Sequence, residues 1–297
     1  MDSTISSTSS QAEAVQVLPT MTITSRTPVP SDKTWVAGTV SIVDGGRTIL
    51  SGNLQIKLRG NFTATLPKKP YKIKLENKAK LFDMSNDKDW ALMANALDKT
   101  LTSTALATRV GQASTASYAL PWTPKSIFVD LTLNGTYLTF NGERVNGPEV
   151  KGDTGLSSTG TYLMEINHQG GTYDYTSPRD VTINFDNPDR EIITAPQANY
   201  ISNFLTTFEN SLFQGNNSWK QMINLLSFAT WYIIEELASN QDSAFSGSCK
   251  CYKLLDTVST VGKFFMGPIW DFDISFGNTV NEPHAPNVFY VRDPAGH

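Results

Sequence analysis

The sequence is poor in the residues that thiol, imidazole and most metal chemistry requires. Its 297 residues include two cysteines and three histidines, which excludes a disulfide framework and a four-thiolate zinc site. Cys249 and Cys251 are two positions apart, so we interpret them as neighbours on one face of a strand rather than as a disulfide. His168 and His284 are interpreted as loop residues. Catalysis by histidine or cysteine is therefore disfavoured.

Charge and long apolar runs are also scarce. Charged residues make up 18% of the chain, and 24 Lys and Arg against 28 Asp and Glu give a net charge of −4. A globally basic nucleic-acid binder is excluded, although a local basic face is not. No segment approaches the roughly 18 apolar residues of a membrane span, and no signal-peptide pattern opens the chain. With 39% hydrophobic residues, the chain can still bury a substantial core.

The first half of the sequence predicts a leader, an antiparallel sheet and one helix. Seven of the first ten residues are Ser or Thr, so we interpret residues 1–19 as a flexible leader. Short alternating segments separated by Gly, Asn and Pro then indicate strands, and apolar residues at helical spacing follow. The predicted strands are Thr34–Val43, Leu54–Arg59 and Tyr71–Leu75, and the predicted helix is Asn86–Gly111.

The second half predicts further strands, two helices and a final hairpin. Asn134-Gly135 between two strand patterns is a strong turn signal. The last predicted helix is apolar nearly all round, which indicates a central position in a core. We find no closing element after the last strand and expect a truncated C-terminus. The predicted strands are Ser126–Leu133, Thr136–Phe140, Tyr162–Asn167 and Asp180–Phe185, the helices are Pro196–Leu212 and Trp219–Leu237, and the hairpin is Cys249–Leu255 with Gly262–Met266.

The hairpin made by the second and third predicted strands concentrates positive charge on one face. Side chains alternate along a strand, so the apolar residues of both strands share the opposite face. In a protein of negative net charge, such a surface could hold an anion such as a polyphosphate. A solvated sheet face is the alternative interpretation. The charged side chains are Lys57, Arg59, Lys72 and Lys74.

Acidic residues gather in the last quarter of the chain. Asp242 follows directly after a buried helix, and Asp271 and Asp273 follow a predicted strand. Carboxylate oxygens suit Mg²⁺ or Mn²⁺, which are bound through one or two carboxylates plus substrate phosphates. Phosphoryl transfer needs a metal-holding Asp, a second Asp for the acceptor hydroxyl and basic groups at the phosphates. Each Asp taken singly is also a common cap, turn or surface residue.

Two hydrolytic mechanisms are alternative interpretations of this part of the sequence. Asp242 with Asp271 or Asp273 could act as the acid and nucleophile of a glycoside hydrolase, but this leaves the basic hairpin unexplained. A serine hydrolase would need a nucleophile elbow, and Gly247-Ser248-Cys249 does not supply one.

Several of these segments, taken together and in order, resemble the CotH kinase family, the spore-coat-type atypical protein kinases. The resemblance spans roughly residues 21–278. It rests on Arg59-Gly60-Asn61, Lys68-Lys69-Pro70-Tyr71-Lys72-Ile73-Lys74-Leu75, Asp89-Trp90-Ala91-Leu92-Met93-Ala94-Asn95 with Asp98-Lys99, Asn240-Gln241-Asp242, and Pro268-Ile269-Trp270-Asp271-Phe272-Asp273.

The resemblance implies an α+β, two-lobed, kinase-like fold, with an antiparallel-sheet N-lobe at 20–147 and a more helical, incomplete C-lobe at 148–297. ATP would lie between the lobes with Mg²⁺ or Mn²⁺, and the γ-phosphoryl group would pass to a Ser or Thr of a secreted or surface protein of a bacterium. No nucleic-acid partner and no membrane span are expected.

The resemblance also implies roles for individual residues. Asp242 would orient the acceptor hydroxyl, and Asp271 would bind metal with Asp273 as a nearby second acid. Lys72 or Lys74 would contact the nucleotide phosphates, Arg59 would shape the same site, and Asp98, placed on the predicted helix, would pair with a lysine. These candidates are Arg59, Lys72, Lys74, Asp98, Asp242, Asp271 and Asp273.

The chain departs from the family pattern at three places, one of which is the segment Asn134–Val145, which resembles the strand pair of the family but is shortened before Glu143. Thr102-Ser103-Thr104 stands where members often carry an Arg-Asn pair, and Ser246-Gly247-Ser248 stands where an Asn is common. A stabilising charge and a second metal ligand are therefore expected to be missing. The leading hypothesis is a protein kinase of this type. A non-catalytic, kinase-like binding module of a coat or envelope assembly is the main alternative, and a carboxylate-based glycosidase is a third.

Overall fold

The structure is a computed structural model, and it describes residues 17–84, 86–115, 120–143, 159–168, 172–215, 217–243, 245 and 247–278. It is a mixed α+β protein, as expected. Its strands are β1 (Thr20–Ser25), β2 (Val36–Asp44), β3 (Arg47–Leu58), β4 (Tyr71–Lys80), β5 (Asn86–Met93), β6 (Ser126–Leu133), β7 (Thr136–Glu143), β8 (Tyr162–Ile166), β9 (Tyr175–Thr176), β10 (Thr182–Asn187), β11 (Cys249–Lys253) and β12 (Phe264–Met266), and its α-helices are α1 (Ser103–Thr115), α2 (Ala195–Phe213), α3 (Trp219–Met222) and α4 (Leu225–Ala238).

The first seven strands curl into a closed barrel in the order β1-β2-β3-β4-β5-β7-β6, closed by a parallel pairing of β1 with β6. The alternation of the predicted hairpin is confirmed, because its apolar residues point inward. Leu54, Ile56 and Leu58 on β3 pair with Leu75, Ile73 and Tyr71 on β4, and all six are buried. The barrel therefore has a hydrophobic core of its own, and the basic face lies on its outside.

The remaining strands form a second sheet in the order β12-β11-β8-β10-β9. Helices α2 and α4 cover it, and their apolar side chains join those of the strands in a second hydrophobic core. Cys249 and Cys251 are free, buried and on one face of β11, as expected from their spacing. Ala107 of α1 also packs in this second core. Helix α1 thus packs with the second sheet, although it precedes the barrel strands β6 and β7 in the chain.

The prediction of one helix over Asn86–Gly111 is wrong in its first half. Residues 86–93 form β5, which pairs with β4 and β7, and α1 begins only at Ser103. Trp90 to Met93 are all buried, so this segment is a strand with both faces covered, which periodicity alone does not separate from a helix. Gly111 does not end the helix. A Cβ there would lie 2.6 Å from Cδ1 of Ile269, so glycine permits close packing.

The helix predicted over Trp219–Leu237 is broken into α3 and α4. Between them, Ile223 makes a bridge to Phe264, and the Asn224 side chain accepts a 2.9 Å hydrogen bond from the Ser227 backbone N–H. Asn224 is thus the N-cap of a new helix. The expectation that α4 is surrounded by core is also wrong in part. Trp231 and Ile234 are buried, but one side of α4 exposes Leu225, Leu226, Ile233 and Leu237.

Most of the remaining strand predictions are confirmed within a few residues. Asn134 and Gly135 take φ values of +50° and +80° in the turn between β6 and β7, as the turn signal predicts. Residues 1–16 of the predicted leader, the predicted boundary at 147/148, Ser246, His284 and the chain end all lie outside the described residues. None of the helices in the described part of the chain has the length and apolar character needed to cross a membrane.

Candidate functional site

A cleft of about 540 Å³ lies between one end of the barrel and the second sheet. The barrel contributes the end of β3, the end of β5 and the loop that follows β5. The second unit contributes β8, the loop after α4, the start of β11 and the loop after β12. Four of the predicted site residues line this one cleft: Arg59, Asp242, Asp271 and Asp273.

Arg59 supplies positive charge from the barrel side. It follows directly after β3, and its backbone N–H donates to the carbonyl of Pro70 at 3.1 Å. The guanidinium lies 5.3 Å from the ring centroid of Trp270, a stacking contact that holds the side chain in the cleft. Gly60 takes φ +79°, and a Cβ there would lie 2.3 Å from Thr63 Oγ1. The Arg-Gly pair thus combines an anchored cation with a tight turn.

Asp271 projects from the loop after β12. Its backbone takes φ +62°, an uncommon left-handed conformation for a non-glycine residue. Its carbonyl accepts a 3.2 Å hydrogen bond from Asn240 Nδ2, and its Oδ2 accepts one of 3.3 Å from Ser248 Oγ. Burial raises the pKa of Asp271, while the positive charge of Arg59 opposes the increase. Asp271 is therefore a half-buried carboxylate facing a cation across the cleft.

Asp242 and Asp273 complete an acidic cluster. Burial, with the charges of Asp271 and Glu165, raises the pKa of Asp242 to about 6. Burial, with the charges of Asp271, Asp242 and Asp98, raises the pKa of Asp273 to about 7. Three carboxylates that repel one another in a desolvated cleft favour binding of a cation.

The two candidate lysines lie in different surroundings. On the outer face, Lys72 is paired across the strands with Lys57, while Lys74 is paired with Gln55. Lys72 Nζ lies 3.8 Å from Asp89 Oδ1. Burial lowers the pKa of Lys72, with Asp89 opposing the decrease and neighbouring positive charges adding to it.

Lys74 lines a separate depression of about 390 Å³ on the barrel surface. Neither lysine is among the residues that line the acidic cleft. Lys72 has the closer electrostatic link to the cleft. Desolvation raises the pKa of Asp186, a member of an ion-paired group at the cleft, and the charge of Lys72 opposes this increase.

That ion-paired group was missed by the sequence analysis. Lys250 on β11 forms ion pairs with Glu165, its direct cross-strand partner on β8, and with Asp186 at 2.6 Å. Burial would lower the pKa of Lys250, but Asp186 and Glu165 outweigh it and raise the pKa. Glu165 and Lys250 line the cleft. The available signal was the alternation of β11: if Cys249 and Cys251 face the core, Lys250 faces the other side.

Asp98 does not lie on a helix and does not have the predicted lysine partner in the described residues. It lies in the loop before α1, where its carboxylate accepts hydrogen bonds from Thr100 and from the Ser103 backbone N–H at 2.8 Å. Burial would raise the pKa of Asp98, but these hydrogen bonds lower it. The same loop is tied to the acidic cluster by Asn278, whose Nδ2 donates to the carbonyls of Leu97 at 2.9 Å and Asp273 at 2.5 Å.

The donor set fits a hard divalent cation. Within the described ranges, no three His, Cys, Asp and Glu side chains form a preformed metal cluster. Mg²⁺, however, is usually held by one or two carboxylates together with substrate phosphates. Asp271 and Asp273 supply such a pair, and burial raises the pKa of both carboxyl groups. The carboxylates are thus suited to Mg²⁺ or Mn²⁺ shared with phosphate oxygens.

The fold and the cleft define an α+β protein with a carboxylate cluster facing a barrel-borne arginine. The model of the family described as CotH kinase protein matches residues 56–294, most of the chain and all four cleft residues described above. The chain belongs to this family. Comparison with the curated proteins gives no match.

Proposed function

We propose that this protein transfers the γ-phosphoryl group of ATP, with Mg²⁺ or Mn²⁺, to a Ser or Thr hydroxyl of a secreted or surface protein. One observation carries the proposal: Asp242, Asp271 and Asp273 share a single cleft with Arg59. Family membership supports a kinase-like function in general. The barrel and the second unit would be the two lobes of a kinase-like fold, with the nucleotide between them.

Each cleft residue has a part in this reaction. Asp242 would accept the proton of the acceptor hydroxyl as its oxygen attacks the γ-phosphorus and the bond to the leaving ADP oxygen breaks. A pKa near 6 keeps Asp242 ionised at neutral pH while leaving it a better base than an ordinary aspartate. Arg59 would bind phosphate oxygens. Asp271 and Asp273 would hold the metal ion, which when bound neutralises phosphate charge.

A direct test is phosphate transfer from radiolabelled ATP. The purified chain, with Mn²⁺ and a generic acidic protein, is expected to label the acceptor or itself. Asp271→Ala is expected to lower the rate by about 100-fold or more, the effect of losing strong charge stabilisation in the transition state. Asp44→Asn, an exposed carboxylate change at the far β2–β3 turn, is the matched control and should leave the rate unchanged.

Three results would contradict the proposal in different ways. Metal-dependent nucleotide binding without transfer to any acceptor would favour a kinase-like binding module. Absence of any nucleotide-induced thermal shift would remove the nucleotide site altogether, because ligand at 100 times its Kd stabilises a fold by about 2.7 kcal/mol. Equal rates for Asp271→Ala and Asp44→Asn would show that phosphate transfer does not take place in the cleft.

A further inference from the structure

The loop that carries Asp242 rests on a buried carboxylate of the preceding helix. Glu235 lies in the last turn of α4 and is only 1% exposed. Its Oε2 accepts hydrogen bonds from Asn240 Nδ2 at 3.0 Å and from Ser243 Oγ at 2.8 Å. These two residues flank Asp242 in the sequence. The carboxylate therefore holds the loop on both sides of the predicted catalytic residue.

Asn240 extends the network to the other side of the cleft. Its Nδ2 also donates to the carbonyl of Asp271 at 3.2 Å, and its Oδ1 accepts from the backbone N–H of Asp242 at 3.4 Å. Its own backbone N–H donates to the Glu235 carbonyl at 3.1 Å. One side-chain amide thus touches the backbones of both predicted functional aspartates, and Glu235 fixes the position of that amide.

Helix termination contributes to the same arrangement. Ser239 takes the left-handed conformation, with φ +47°, and its backbone N–H closes the helix on the carbonyls of Glu235 and Glu236. The chain then turns sharply, so that residues 240–243 fold back beneath the helix end. On the far side of the loop, Cys249 Sγ lies 3.3 Å from the carbonyl of Ser243. The loop is held from the helix and from β11.

The buried carboxylate is costly for the fold alone. Trp231, Ile234 and Ala238, on the same face of α4, are apolar and buried. A buried ionisable side chain costs desolvation free energy that its hydrogen bonds must offset, and an apolar residue at position 235 would continue this face of α4 without that cost. A satisfied buried polar network instead specifies one arrangement of the groups it joins.

We propose that Glu235 is a positioning residue which, through Asn240 and Ser243, sets the place of Asp242 relative to Asp271. The inference rests on the proposed function, because it takes these aspartates as the reacting pair. Glu235 does not line the cleft and acts through its two hydrogen-bond partners. Its effect belongs to the chemical step rather than to nucleotide binding, since Arg59 and Asp273 are held by other contacts.

The test compares initial rates over a range of ATP concentrations, at saturating Mn²⁺, for Glu235→Ala, Glu235→Gln and Ser243→Ala. Glu235→Ala is expected to lower kcat by about 10-fold or more while KM for ATP changes less than about threefold. Glu235→Gln should restore kcat to within about threefold, because its amide oxygen can accept both hydrogen bonds. Glu236→Gln, a change at the adjacent, partly exposed carboxylate, is the control and should match the wild type.

Hydrogen exchange separates this inference from the proposed function. Amides of residues 239–243 are expected to exchange faster in Glu235→Ala than in the wild type, but not in Glu235→Gln. If the wild type transfers no phosphate, the proposed function fails and the exchange pattern still decides whether Glu235 holds the loop. If Glu235→Ala does not fold, Ser243→Ala takes its place, with an expected fall in kcat of about threefold.

The inference is overturned by any of three results. They are unchanged exchange and kcat in folded Glu235→Ala or Ser243→Ala, equal losses in Glu235→Ala and Glu235→Gln, or an effect confined to KM for ATP.

Discussion

Among the described residues, the second unit buries more ionisable side chains than the barrel, in which Asp87 on β5 is buried. At the centre of the barrel are aliphatic residues with no exposed surface, among them Ile23, Ile56 and Ile73. The second unit also has an apolar core, but Glu235, Lys253 and Asp273 are buried within it or at its edge. Lys253 is completely buried, with its Nζ 2.6 Å from Asp256 Oδ1. The second unit, which provides the carboxylates of the cleft, therefore also buries ionisable side chains.

The difference separates a barrel whose buried side chains stabilise the fold from a second unit whose buried carboxylates cost free energy of folding. An aliphatic core gains free energy with every group it buries. A desolvated carboxylate cluster costs free energy until a cation joins it. We therefore expect substitutions that remove side-chain atoms to destabilise the barrel, and removal of the uncompensated carboxylate charge of Asp273 to stabilise the second unit.

The largest expected effect is the loss of a barrel side chain. Ile73 is completely buried and pairs with Ile56 on β3 and Trp90 on β5. Ile73→Ala should lower the free energy of unfolding by about 2–5 kcal/mol, because it leaves a cavity in a packed interior. Thr39→Ala, on an exposed position of β2, should change it by less than about 0.5 kcal/mol. Urea unfolding measures both, and similar small effects would show that the barrel interior is not tightly packed.

The opposite sign is expected at Asp273. The pKa of Asp273 is about 7 in the folded state against an ordinary value of 3.8. Below about pH 4 Asp273 is protonated in both the folded and the unfolded chain, so its burial adds no charge-related cost to folding. As pH rises from about 4 to 7, the unfolded chain releases its proton first and the wild type loses stability. Asp273→Asn should therefore be more stable than the wild type at pH 8, on the order of 2 kcal/mol.

Two further observations sharpen the Asp273 comparison. The advantage of Asp273→Asn should vanish as pH falls to about 4, and Mn²⁺ should stabilise the wild type more than the variant. Thermal unfolding at several pH values, with and without Mn²⁺, measures these differences. A variant that is less stable than the wild type at pH 8 would show that the carboxylate is compensated within the protein and would break the contrast between the two units.

The smallest expected effect distinguishes the two lysines of the basic face. Lys72 lies beside Asp89 and influences Asp186, whereas Lys74 lines the separate depression on the barrel. Lys72→Met should weaken ATP binding by about tenfold, the loss of one charge-assisted contact. Lys74→Met should weaken it less. Calorimetric titration with ATP and Mn²⁺ measures both affinities, and a larger loss in Lys74→Met would assign the phosphate contact to the other lysine.

Strand positions and the acidic residues of the cleft could be predicted because each depends on a local pattern. The alternation of the β3–β4 hairpin fixes which side chains enter the core. Asp242, Asp271 and Asp273 follow directly after buried elements, where rigid structure delivers loop residues to a common place. Arg59 could also be predicted as a site residue, because it ends an alternating strand and precedes a glycine.

The failures have a different physical origin. Residues 90–93 carry apolar side chains on both faces of β5, and such a run is compatible with a helix until its strand partners are known. The ion pairs of Lys250 join β8, β10 and β11, which are far apart in the sequence. Glu235 sits in an apolar helix pattern, and its hydrogen bonds depend on Asn240 and Ser243 turning back beneath the helix. These contacts depend on tertiary structure.

Asn278 joins the two sides of the cleft through one side-chain amide. Both hydrogens of one amide are committed, one to the carbonyl of Leu97 beside the barrel and the other to the carbonyl of Asp273 in the acidic cluster. N–H···O hydrogen bonds span a narrow range of donor–acceptor distances, so separation of the two units would weaken or break these bonds. The two sides of the cleft are therefore tied at this point through a single side chain.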